Sequence, residues 1–193
     1  MNVPHQIRAS RWFLSRAPAL TACALPLFLL AGCEAEDPDS FAPVCAPVGI
    51  LAEAADYSDY GGGGPVTPDL SRLVSHGSIT AVSGHCSNAQ QKTVLHTEVQ
   101  LQLAVTRGPV AQGSAISVPY FIAVTRDGAV ISKQSLQAVA QFPDNGDKVL
   151  VKTDPVSLDI PVTRTKPGTS YRIEVGFQLT PQQLDYNRAH LPR

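Results

Sequence analysis

The chain has one tryptophan, Trp12, and one methionine, Met1, both ahead of its first long apolar run, and aromatic residues make up only 6% of it. Charge is equally sparse: 15 Lys and Arg face 16 Asp and Glu. No basic excess or basic stripe exists, which excludes the electrostatic footprint of a nucleic-acid binder. Four cysteines occur, but none in a C-x-x-C pair, so neither a zinc ribbon nor a dithiol redox motif is written here. No G-x-S-x-G elbow offers a nucleophilic serine. The run Gly61 to Gly64 lacks the G-K-[ST] ending of a phosphate loop and leads into Pro65 and Pro68 instead of a helix.

Ala17 to Gly32 carries no charge, but it is 16 residues long and contains Pro18 and Pro26. A spanning helix wants about 20 apolar residues. A secretory leader needs about 7 to 15 behind a basic start and ahead of small residues. Arg8, Arg11 and Arg16, with no acid before Ala17, supply that start. The reading is a signal peptide over residues 1–32.

Its end, Leu30-Ala31-Gly32-Cys33, resembles the lipobox of bacterial lipoprotein precursors. That resemblance implies a diacylglyceryl thioether on Cys33, cleavage between Gly32 and Cys33, and acylation of the new amino group by a palmitate-type chain. Several acyl chains give stable attachment, since each buried methylene contributes about 0.8 kcal/mol and one chain alone is marginal. The membrane lipid is then the first partner, and the chain faces the periplasm from the cell envelope. Glu34 stands where Asp favours inner-membrane retention in enteric bacteria, which points to the outer membrane.

Removing the leader takes three arginines and no acid, so twelve basic residues remain against sixteen acidic ones and the mature net charge is −4. Residues 33–44 read as a lipidated N-terminus and tether, because EAEDPDSFAPV has little to bury. Residues 45–190 read as one domain. Cys45 and Cys86 remain unmodified there and pair as a disulfide in an oxidising compartment. Two buried thiols are the alternative.

Within the domain the hydrophobic period is two. Val99, Leu101, Leu103 and Val105 alternate with Glu98, Gln100 and Gln102; Ile116, Val118, Tyr120, Ile122 and Val124 repeat the pattern, as do Tyr171, Ile173, Val175, Phe177 and Leu179. Half-buried antiparallel strands follow. Asp127-Gly128 and Asn145-Gly146 read as tight hairpin turns, which predicts a three-strand meander with Pro119 at an edge or bulge. VGILAEAA, residues 48–55, fits either strand or short helix. Thr180-Pro181-Gln182-Gln183 predicts a capped helix over residues 181–188, with Thr180 as N-cap.

Lys166-Pro167-Gly168-Thr169-Ser170-Tyr171 resembles the corner before the sixth strand of fibronectin type III and immunoglobulin-like sandwiches. The resemblance implies that the Tyr171 hydroxyl returns to the backbone upstream. The fold class is therefore all-β, an antiparallel Ig-like β-sandwich with one short C-terminal helix. The precursor also resembles small alphaproteobacterial lipoproteins without assigned activity. The shared features are a start here written Cys45-Ala46-Pro47-Val48-Gly49-Ile50-Leu51-Ala52-Glu53-Ala54, a second cysteine some forty residues on, and an ending like GFQLTPQQLDYNR. Membership implies an envelope location.

Candidate chemistry is thin. His76, His85, His96 and His190 read as surface residues, and the neighbours His85 and Cys86 point to opposite faces of a strand. Glu53, Asp56 and Asp59 form the one dense carboxylate group, either the solvated start of a loop or a calcium or small-ligand site. Tyr57 and Tyr60 beside it could form a contact surface. The reading is a non-enzymatic interaction or structural module with an envelope protein partner, engaged by loops or an edge strand. No cofactor is expected, and catalysis at an unrecognised site ranks last.

Overall fold

A computed structural model describes residues 44–61, 69–89 and 93–191. The leader, the lipobox with Cys33, most of the tether and residues 62–68 of the glycine run lie outside the described residues. In chain order the strands are β1 (Val48–Ile50), β2 (Asp56–Asp59), β3 (Ser75–Ala89), β4 (Val94–Arg107), β5 (Ala115–Arg126), β6 (Ala129–Gln141), β7 (Lys148–Lys152), β8 (Val156–Pro161) and β9 (Arg172–Phe177). The helix α1 spans Pro181–His190. The two alternatives for residues 48–55 are both realised in succession, β1 first and then a 3-10 turn over Ala52–Ala54.

The strands form two sheets. One has the order β1-β9-β5-β6; the other runs β2-β3-β4-β7, with β8 also paired to β4. All pairings are antiparallel except β1 against β9. The period-two residues close the core between the sheets: Leu95, Val99, Leu101, Leu103 and Val105 of β4 face Val118, Tyr120, Ile122 and Val124 of β5 and Ile173, Val175 and Phe177 of β9. The all-β sandwich with one short C-terminal helix stands.

The predicted meander is corrected. Asp127 and Gly128 do adopt positive φ, 52° and 78°, and turn β5 into β6. Beyond Phe142 the chain instead crosses to the other sheet, where β7 pairs with β4. Pro143 to Gly146 form an ordinary turn in which the Gly146 amide donates to the Pro143 carbonyl at 3.1 Å. Asn-Gly tolerates a hairpin turn but does not compel one, and burial of Val149 and Val151 against the core decides the crossing.

Pro119 is also corrected, because β5 lies inside its sheet. The strand tolerates proline there since the β9 ladder ends at Tyr120↔Phe177, one residue short of it. The Pro119 carbonyl accepts from the Gln178 amide at 3.0 Å, so its nitrogen points past the end of β9, where no donor is required. The bulge falls instead at Val124/Thr125, where Ile131 is the extra residue on β6.

Tyr171 precedes the last strand in place of a sixth, and its hydroxyl donates to the Pro161 carbonyl at 2.7 Å. Cys45 and Cys86 are bridged with their Cα atoms 5.9 Å apart. The bridge ties the chain ahead of β1 to β3, beside the parallel ladder that holds β1 on β9.

Candidate functional site

The Glu53 to Asp59 segment does not gather donors for a metal. Asp56 to Asp59 are β2, whose alternation sends neighbouring side chains to opposite faces. The Asp56 carboxylate accepts from the Ser78 hydroxyl, Asp59 accepts from the Gly61 amide at 2.9 Å, and Glu53 lies 3.8 Å from Arg188. Helix α1 occupies the carbonyls: Asn187 Nδ2 donates to Glu53 and Asp56 at 2.9 and 2.8 Å, and Gln183 Nε2 donates to Ser58 at 2.7 Å. Among the described residues no cluster of three His, Cys, Asp or Glu could hold an ion.

Tyr57 corrects the proposed contact surface. It is 7% exposed, packs with its ring tilted against Phe177 of the opposite sheet at 4.8 Å between ring centroids, and shares a 3.0 Å hydrogen bond with Ser75. Gly77 makes room for its ring, since a Cβ there would fall inside the Tyr57 side chain. Burial, the largest effect, pushes the Tyr57 phenol above its ordinary 10.0; the Ser75 hydrogen bond opposes it and nearby Asp59 adds to it. Tyr60, just beyond β2, is half-buried.

The histidines are scattered. His76 shares a hydrogen bond with Ser58, His85 lies 3.7 Å from Glu98, and His96 contacts Asp159 at 2.7 Å. His190 stacks on Tyr186 at the end of α1. His76 and His85 both lie within β3, and Cys86 is consumed by the disulfide.

What the sheets leave open is β6. It is the last strand of its sheet and, among the described residues, has a ladder partner on one side only. The direction of its peptide groups follows from Pro119. Antiparallel partners either exchange both hydrogen bonds or neither, and a residue in a strand directs its nitrogen and carbonyl to the same side. Pro119 faces β9, so its partner Gln137 faces away from β5. Lys133, Ser135, Gln137, Val139 and Gln141 therefore direct N–H and C=O to the open edge, while Gln134, Leu136, Ala138 and Ala140 bond β5.

The composition of β6 suits an edge that pairs. Thirteen residues contain one charge, Lys133. Val130, Ile131 and Val139 are 62%, 47% and 60% exposed. The lysine does not guard the edge in the usual way, because its Nζ lies 4.3 Å from the centroid of the Phe121 ring on the outer face of the sheet.

Among the described residues the other edges are short, interrupted or bulged. β1 and β2 have three and four residues. The edge made by β7 and β8 is interrupted by Thr153, Asp154 and Pro155 and ends at Pro161. On β3 the stretch beyond β2 begins with a bulge at Ile79/Ala81 and is tied at Cys86 to the chain ahead of β1 by the disulfide. Between β6 and the β7–β8 edge lies a groove of about 560 Å³, lined by Gln134, Leu136 and Ala138 on one side and Val151 to Ser157 on the other. Tyr120 forms part of its lining, its phenol raised above 10.0 chiefly by burial, against a hydrogen bond with Thr153 and with nearby Asp154 adding. Thr153 fixes the far wall: its amide donates to Leu101 at 3.0 Å and its hydroxyl accepts from the Leu101 amide at 3.0 Å.

Sequence reasoning named an edge strand without saying which one. The signal was present in AVISKQSLQAVAQ, where one charge and a broken alternation distinguish β6 from the clean period of β4 and β9. Compared with protein families, curated proteins and solved structures, the chain matches none.

Proposed function

We propose that this chain is a lipid-anchored protein of the bacterial envelope, tethered through acylated Cys33 on the periplasmic side, whose sandwich docks a partner polypeptide along the free edge of β6 by strand addition. The observation that carries the docking half is the row of outward N–H and C=O groups from Lys133 to Gln141, flanked by exposed valines and a groove. Main-chain pairing there gives affinity, and side chains entering the groove give specificity. The lipid half rests on Leu30-Ala31-Gly32-Cys33 behind a basic, then apolar, leader. The role is that of an interaction module without catalysis.

The two halves are tested separately. A Cys33→Ser precursor should remain uncleaved or leave the membrane fraction; unchanged mature mass and membrane partition would remove the lipid anchor. For the edge, Ser135→Pro deletes an outward N–H and should abolish photocrosslinks from a probe at Val139 in native membranes. Crosslinks that persist in that variant would rule out strand addition at β6.

A further inference from the structure

Resting on that reading of β6, we propose that the strand it receives is β6 of a second copy of this chain, paired antiparallel about a two-fold axis through Ser135. Outward groups must meet outward groups, so odd-numbered residues pair with odd-numbered ones. Centring the pair on Ser135 sets Lys133 opposite Gln137 of the copy and brings no like charges together. It also sets Val139 opposite the Val130–Ile131 bulge of the copy, and does so twice by symmetry. All three of these exposed aliphatic residues gain an apolar neighbour in this register.

Neighbouring registers lose this match. A shift that places Val139 on Lys133 opposes an aliphatic residue to a charge, and the register centred on Lys133 opposes two ammonium groups. Cross-strand apolar pairs stabilise a ladder, whereas like charges directly opposite destabilise it. The seating of Lys133 over Phe121 keeps the one charged side chain of β6 on the outer face of the sheet. The product is a continuous eight-stranded sheet, β1-β9-β5-β6 followed by the same four strands reversed. A self-complementary patch repeated on both partners is what a two-fold contact requires.

The test uses cysteine pairs in the full-length protein in native membranes. Hydrogen-bonded antiparallel partners have Cα atoms about 5.5 Å apart, within the range a disulfide closes. Under mild oxidation Ser135→Cys should give a reducible adduct of twice the chain mass. Lys133→Cys and Gln137→Cys should crosslink to each other when co-expressed, and neither to itself. An adduct of Ser135→Cys with a protein of different mass would overturn the second copy and leave strand addition standing. Equal self-crosslinking at residue 133 would overturn the register. Absence of any adduct from all three positions, in chains that retain their melting temperature, would overturn both the pairing and the strand-addition reading beneath it.

Discussion

Tyr171 shows how a few polar atoms fix a sheet of apolar ones. Its ring is 4% exposed, its hydroxyl donates to Pro161, and Arg126 both donates to that oxygen at 3.2 Å and lies over the ring. Tyr171→Phe leaves the Pro161 carbonyl without this donor. A loss of about 1–2 kcal/mol is expected, a fall of roughly 2–8 °C in melting temperature; no change would mean that solvent replaces the bond. The Cys45–Cys86 bridge closes a separation of 41 residues, and on the chain-entropy model its removal costs about 4 kcal/mol. Cys86→Ser should therefore lower the melting temperature by on the order of 10 °C. Tyr57 and Tyr120 make stability depend on alkaline pH. Their folded phenols titrate above 10.0, so above that pH the unfolded chain loses protons that the folded chain keeps. Stability should fall as pH rises past 10. Tyr57→Phe should flatten that fall in a pH series of denaturant melts, and an unaltered slope would show that this phenol titrates normally.

At the scale of elements, β6 and α1 behave differently. Ser135→Pro removes a nitrogen that bonds nothing in the ladder, whereas Gln134→Pro removes one that bonds β5. The first should cost little stability and the second about 1–3 kcal/mol, the cost of a ladder hydrogen bond lost with its acceptor left unpaired. Equal destabilisation would show that the outward assignment is wrong. Helix α1 has no buried residue and is held by its cap and by Gln183, Asn187 and Arg188. Thr180→Ala should cost about 1 kcal/mol, visible as faster proteolysis of the tail. The capping box was legible because it is local: Thr180 and Gln183 bond each other across three residues. The hydroxyl return at Tyr171 was expected from the resemblance of its Pro-Gly corner to those of other sandwiches, and it spans ten residues. The cores of β4 and β9 were legible because each strand buries one face. β5 was less so, since Phe121 and Ala123 on its second face are also buried, with Ala54, Leu51 and Leu179 around them. The crossing after Phe142 was not legible, because it depends on which sheet offers a partner, a long-range choice that a turn dipeptide does not encode; the edge position of β6 left only its single charge and broken alternation as a trace.

For the whole molecule, one end of the sandwich is locked by the disulfide and one edge is left unpaired among the described residues. The disulfide joins the start of the domain to β3 at residues 45 and 86. The β6 edge, with no charge but that of Lys133 on the strand, borders the groove and is the edge that the proposed partner would occupy. Of the Glu53 to Asp59 carboxylates only Glu53 meets α1, through Arg188, while Asp56 and Asp59 bond Ser78 and Gly61. If β6 docks a strand as proposed, its outward peptide groups are paired when the protein is at work. Site-resolved amide hydrogen exchange on the full-length protein, in native membranes and after extraction and dilution, tests it most directly. The amides of Leu136, Ala138 and Ala140 should exchange slowly in both states, held by β5. Those of Lys133, Ser135, Gln137 and Val139 should exchange freely in the diluted protein and at least about tenfold more slowly in the membrane. Free exchange of these four amides in both states would contradict the account.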